Sequence, residues 1–274
     1  MPRAWQWCGA SATCAALLLA APAALAGRSC EVAQPPSVTM IEQGLRLAER
    51  TLKALDASGA RVVVLARAGQ DLTKYRLRYS HLGFAYRIDD SQGGHVWRVL
   101  HKLNECGSAQ ADIYRQGLGE FFLDDLWRFQ AAWVVPTPEV QEKLHKLLLD
   151  EPQSLRLHLR RYNMVAYPWS TQYQQSNQWA IETLAMAITA DADQAINTRE
   201  QAQDWLRDKG YRPSVLRIGA LTRLGARLTA ANVAFDDHPD EKRYSDQIET
   251  VTVDSVFAWM PRAGLATQAL VVLR

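Results

Sequence analysis

The chain has 274 residues, 48% of them hydrophobic, enough for one sizeable domain with a complete core. Its formal net charge is +2 with both signs interspersed, which excludes a broad electrostatic footprint for nucleic acid or an anionic membrane. Four cysteines and a spread of tryptophans are the other compositional landmarks.

Taken in chain order, Arg3 opens a short basic region, an apolar alanine-rich stretch runs from Ala10 to Ala23, and Ala24-Leu25-Ala26 forms a small-x-small site. The pattern predicts a secretory signal over residues 1–26, cleaved after Ala26, with residues 27–274 as a single α+β domain placed in the periplasm or secreted. The apolar run is shorter than the roughly 20 residues that span a bilayer, so no integral span is expected after cleavage. Gly27, Arg28 and Ser29 separate the site from Cys30, which does not fit lipidation. Cys8 and Cys14 leave with the signal, so Cys30 and Cys106 remain as a pair in an oxidising compartment, read as one disulfide. The competing reading makes Cys106 a catalytic thiol in the polar stretch Leu103–Gly107.

Ile41, Leu45, Ala48, Leu52 and Leu55 recur at helical spacing up to Gly59 and predict an amphipathic helix. Val62–Leu65 reads as a buried strand running into a turn at Arg67–Leu72. Tyr79–Ile88 and His95–Leu103, joined by the turn Asp89–Gly94, read as a hairpin. A short helix around Tyr114–Leu118 and a strand at Phe129–Val135 follow. Thr137 and Pro138 then open a helix with Val140, Leu144, Leu147 and Leu148 on its apolar face. Leu155–Arg160 alternates and predicts a half-buried strand, whereas Asn177–Ile188 and Thr198–Lys209 are helical by spacing. Ile248–Met260, rich in Val, Thr and aromatics, predicts a strand. Helices and strands mix without βαβ alternation, which argues for α+β with a central antiparallel sheet.

Chemistry concentrates at two places. Reflection of the hairpin about Ser91 puts His81 opposite His101 on one face, with His95 as the fallback partner if the register differs. Ser176 opens a downstream helix, where a serine is either an N-cap or, with a histidine base, a nucleophile. The candidate catalytic set is therefore His81, His101 and Ser176. The candidate ligand-binding set around it is Trp169, Tyr173, Asn177, Gln178 and Trp179, whose bland roles are capping and core packing. Asp236-Asp237-His238 lacks the spacing of a metal site and reads as a solvated acidic loop. No glycine-rich phosphate loop, HExxH or paired CxxC occurs, so no cofactor or metal is expected.

Arg67–Leu72, Tyr79-Ser80-His81, His101–Cys106, Gln175–Trp179 and Phe235–Pro239 together resemble a bacterial domain-of-unknown-function family, number 2145, over nearly all of the mature chain. That resemblance implies an exported protein of Gram-negative bacteria and carries no activity. More remotely, a histidine strand followed by a helix with a candidate nucleophile is similar to permuted NlpC-type, papain-like cell-wall peptidases, with serine in place of cysteine. This second resemblance implies a papain-like cleft. The expected function is binding of a peptide or peptidoglycan fragment, and the alternative is an amidase using Ser176 with His81 as base.

Overall fold

The computed structural model describes residues 36–124, 126–267 and 271–273. The proposed signal and Cys30 therefore lie outside the described residues. Helix α1 (Val38–Ser58) leads into strand β1 (Val62–Ala68), the hairpin β2 (His81–Asp89) and β3 (His95–Asn104), then β4 (Ala111–Gly117) and the short helix α2 (Leu118–Leu123). Strand β5 (Arg128–Val134) is followed by helices α3 (Pro138–Leu149), α4 (Glu151–Leu155), α5 (Ser176–Ile188) and α6 (Arg199–Asp208). The chain then forms β6 (Ser214–Arg217), α7 (Ala220–Thr229), α8 (Asp240–Tyr244), β7 (Gln247–Thr250), α9 (Val253–Arg262) and β8 (Val271–Leu273).

The fold is α+β, as expected. A six-stranded antiparallel sheet in the order β4-β3-β2-β1-β5-β8 is covered on both faces by helices, and β6 pairs with β7 in a separate ribbon. Strand alternation assigns the two faces. Leu82, Phe84, Tyr86 and Leu100 join a core built with α3, α5, α6 and α9. Ala85, Trp97 and Val99 join the opposite core, built with α1 and α2. No described helix is long and apolar enough to cross a membrane.

Several sequence expectations are corrected. In α1 the buried face is Gly44, Leu47, Ala48, Thr51 and Leu55, so Ile41, Leu45 and Leu52 sit at its exposed margin. The rotation follows from close approach at Gly44, where an added Cβ would stand 2.8 Å from the Phe122 carbonyl oxygen. Arg67 and Ala68 continue β1 rather than turning. Ala111–Gly117 is an edge strand where a helix was expected, because its pairing with β3 overrides the local pattern. The alternating Leu155–Arg160 run ends α4 and continues as turn and loop.

The largest change is in the run expected as one strand from Ile248 to Met260, where β7 (Gln247–Thr250) covers only the start and Val253–Arg262 is helical. Val253, Val256, Phe257 and Met260 bury at i, i+3, i+4 and i+7, and Thr252 Oγ1 caps the Ser255 amide at 3.1 Å. High β-propensity masked a helical period.

Candidate functional site

The hairpin turn is centred one residue later than expected: Asp89 pairs with His95 and Phe84 with Leu100, which sets Gly83 against His101. The partner shifts by two positions, so the face is kept and His81 meets His101 diagonally. Gly83 makes room for this, since a Cβ there would lie 2.8 Å from the Cβ of His101. His81 Nε2 is 2.8 Å from His101 Nδ1, and His101 Nε2 is 2.8 Å from Gln116 Oε1. With Gln116 accepting from His101 Nε2–H, His101 Nδ1 is bare and accepts from His81 Nε2–H, which leaves the Nδ1 lone pair of His81 as the outer end of the chain.

Both imidazoles are held neutral. Burial lowers His101 to about 3, with the Arg67 guanidinium adding to the effect. Burial, then Arg67, then His101 push His81 well below the usual histidine range. Arg67 is itself buried beneath the pair, donating to the Phe121 carbonyl and to Asp124, with its guanidinium 4.7 Å from the Phe121 ring centroid. His95, the fallback partner, instead meets Asp56 at 2.8 Å at the far end of the strand.

Ser176 does not join this cluster. His81 and His101 face α2 through Phe121, whereas α5 packs on the other face of the same strands through Phe84 and Trp179. The backbone of β2 lies between them: the Leu82 amide, next to His81, donates to Asn177 Oδ1 at 3.1 Å. The expected single His81–His101–Ser176 site is thus two separate features. Ser176 is not the helix cap either. Gln175 is, its Oε1 accepting from the Asn177 amide at 3.0 Å, and Ser176 occupies the first turn, buried, with its hydroxyl near enough to the Tyr162 phenol to oppose the upward push of burial on that group.

Helix α5 is buried along nearly its whole length, which explains the fate of the other candidates. Trp179 is fully buried against Phe84, at 5.9 Å between ring centroids. Asn177 and Gln178 spend their amides on backbone carbonyls of Val251, Tyr167 and Pro168. Tyr173 is half-buried, its hydroxyl 3.2 Å from Asp236 Oδ2 and its ring under the Arg161 guanidinium. Trp169, in contrast, lines an open cleft. The Asp236–His238 loop is also less solvated than expected. Asp237 and His238 are buried together at 2.9 Å, with the other His238 nitrogen 2.8 Å from the Glu249 carbonyl.

Sequence reasoning missed a buried polar chain beneath α5. Glu182 takes the Arg199 Nε at 2.8 Å and its Nη2 at 3.1 Å, with Gln203 and Gln174 donating to the same carboxylate at 2.9 and 2.6 Å. Gln174 Oε1 in turn accepts from Lys102 Nζ at 2.8 Å. Burial first, then Arg199, lowers Lys102 to about 7. The signal was present in the alternation: Lys102 shares a strand face with Leu100, so a charge had to point into the core.

Above this chain lies a cleft of about 300 Å³ lined by Trp169, Thr171, Glu200, Gln203, Asp204 and Arg207. Glu200, Asp204 and Arg207 recur at i, i+4 and i+7 along one face of α6. Arg207 bridges Asp204 at 2.5 Å and stacks 4.5 Å from the Trp169 ring centroid. Hydrogen bonds from the α6 N-terminus, chiefly its own amide, hold the Glu200 carboxyl below the usual carboxylate range. Thr171 carries the rim to the Arg199 Nη1 at 3.0 Å through its carbonyl, so the cleft floor is continuous with the Glu182 chain. Among the described residues, no three His, Cys, Asp or Glu side chains are placed to hold a metal ion. Cys106 is not a free thiol, and its expected partner Cys30 is outside the described residues.

The architecture defines an α+β protein with a two-faced antiparallel sheet and a buried central helix. Residues 54–260 match the model of the family described as an uncharacterized protein conserved in bacteria, DUF2145, and the chain belongs to that family. No curated protein and no solved structure matches the chain.

Proposed function

We propose that the protein is an exported binding module that takes a peptide-like or cell-wall-derived ligand in the cleft beside α6. The observation that carries this reading is the Trp169 ring, half-buried in an open cleft with Glu200, Asp204 and Thr171 around it. A tryptophan face packs against an apolar or sugar-ring surface, while carboxylates accept hydrogen bonds from amide N–H or hydroxyl donors. The Glu182–Arg199 pair under the cleft fixes α6, so the groups are preorganised. The N-terminal pattern supports export to the periplasm or outside the cell, where a Cys30–Cys106 disulfide would tie the mature N-terminus to the end of the hairpin.

Hydrolysis by Ser176 with His81 as base is the less favoured reading, because the sheet backbone separates the hydroxyl from the imidazole. The test is a titration of purified protein with soluble peptidoglycan fragments, read by tryptophan fluorescence. Trp169→Ala is expected to weaken retention by at least about tenfold, in the range of an interface hot spot. Ser176→Ala is expected to leave it unchanged. Fragment release abolished by Ser176→Ala, or retention indifferent to Trp169, would overturn the proposal.

A further inference from the structure

Helix α7 is packed inside out. Arg223, Ala226 and Ala230 point inward at i, i+3 and i+7, and the two alanines pack on the small core formed by Val165, Leu216, Ile218, Val233, Phe235 and Ile248. The outward positions at the same spacing are all leucine: Leu221 is 86% exposed, Leu224 57% and Leu228 79%. An ordinary surface helix reverses this arrangement, with its large apolar side chains inward. The anchor is polar instead. Arg223 donates to Asp246 at 2.5 Å and to the Ile218 carbonyl, which holds the helix in this orientation.

We infer that α7 docks the protein on a lipid surface by inserting Leu221, Leu224 and Leu228. Two features select lipid over a second copy of the chain. A ten-residue helix is about 15 Å long and about 10 Å wide, so its face covers roughly 150 Å². A stable protein interface buries about 800 Å² per partner, far more than this face supplies. A bilayer sets no such threshold, because each leucine partitions by its own apolar area. Charge is the second feature. Helix α7 carries no acidic residue, Arg223 is neutralised by Asp246, and Arg227 is exposed in the last turn beside Leu228. The helix therefore presents leucines beside a cation, Arg227, that makes no ion pair among the described residues, the composition that suits an interface containing anionic headgroups. The near-neutral whole-chain charge does not report this local arrangement.

The experiment is co-sedimentation of the full chain with phosphatidylcholine vesicles containing phosphatidylglycerol, compared with the Leu221→Ser/Leu224→Ser/Leu228→Ser variant. These side chains are exposed, so the variant is expected to keep the wild-type circular dichroism and unfolding midpoint. Vesicle partitioning is expected to fall by roughly tenfold per leucine. Arg227→Glu is expected to weaken it several-fold with phosphatidylglycerol present and not with phosphatidylcholine alone. Because the N-terminal segment is common to all variants it cancels in the comparison, so equal partitioning of the wild type and the triple variant overturns the inference. So does a wild-type chain that stays in the supernatant, or leucine-dependent self-association in sedimentation velocity without vesicle binding.

Discussion

The Leu82 amide donates to Asn177 Oδ1 at 3.1 Å, so the residue beside the histidine, and not the histidine, is the one that meets the central helix. Alternation along β2 then sends His81 to the opposite face, against Phe121 and His101. This one contact separates the two halves of what the sequence suggests is a single site. It also makes Asn177 a structural residue, docking α5 to the sheet.

Asn177→Ala should therefore destabilise the fold by about 1–3 kcal/mol, the cost of leaving the buried Leu82 amide without an acceptor. Ser176→Ala, one position away, should cost about 1 kcal/mol or less, because it removes a single hydroxyl beside the Tyr162 phenol and strands no backbone amide. Urea unfolding of the two variants checks the order. Equal losses would mean that Asn177 is not what holds the helix to the strand.

The Glu182–Arg199 pair is buried on both sides and is completed by Gln203 and Gln174. Removing one partner leaves an uncompensated charge in the core, which typically costs about 3–5 kcal/mol. Arg199→Met and Glu182→Leu should each approach that loss. The double substitution should cost less than the sum of the two, since neither charge then remains alone. An additive double variant in a denaturant series would refute the coupling. Either single variant should also weaken ligand retention at Trp169, because α6 loses its anchor.

Acid should unfold the protein partly through its histidine pair. An unfolded histidine takes up its proton near pH 6.5, whereas folded His101 resists until about 3 and His81 is lowered in the same direction. The unfolded state thus binds more protons throughout that window. The contribution of the pair is complete above about pH 6.5 and is lost as pH falls toward 3, at about 1.4 kcal/mol per pH unit per proton. His101→Gln removes one titrating group, so its stability should fall less steeply between pH 6 and 4 than that of the wild type. Parallel slopes in urea unfolding at stepped pH would contradict the neutral pair.

Much of the fold is legible in the sequence because its signals are local. The hairpin turn, the Thr137-Pro138 helix start and the helical spacing of Ile181, Leu184 and Ala185 all survive in the structure. What fails depends on neighbours. Ala111–Gly117 is a strand because β3 offers an edge, and Val253–Arg262 is a helix because its apolar spacing fits the core better than its β-propensity suggests. The site is less legible than the fold. His81 and His101 share a face under any register shifted by two, so their meeting is robust. Whether Ser176 approaches that face depends on which side of the sheet α5 covers, and no local pattern encodes the side. The open cleft combines Trp169 with Glu200, Asp204 and Arg207, residues brought together only by the packing of α6 against the loop before α5.

Lys102 offers the last test, because its expected pH response runs opposite to intuition for a cation. Its ammonium is fully buried, hydrogen-bonded to Gln174 and to the Leu159 carbonyl, and lowered to about 7 by burial and by Arg199. An unfolded lysine keeps its proton until about pH 10.4. Between about pH 7 and 10 the unfolded state therefore binds more protons than the native state, and stability should rise with pH across that range. Below pH 7 both states are protonated and the full cost of burying the charge is present. Lys102→Met keeps an unbranched side chain shorter by about one heavy atom and removes the titration, so the rise should disappear and the gap between variant and wild type should shift in favour of the wild type as pH increases. The measurement is urea unfolding at half-unit steps from pH 6 to 9.5. If the two proteins trace parallel curves, Lys102 stays protonated in the fold, and the Gln174–Glu182 chain stabilises it far better than its burial implies.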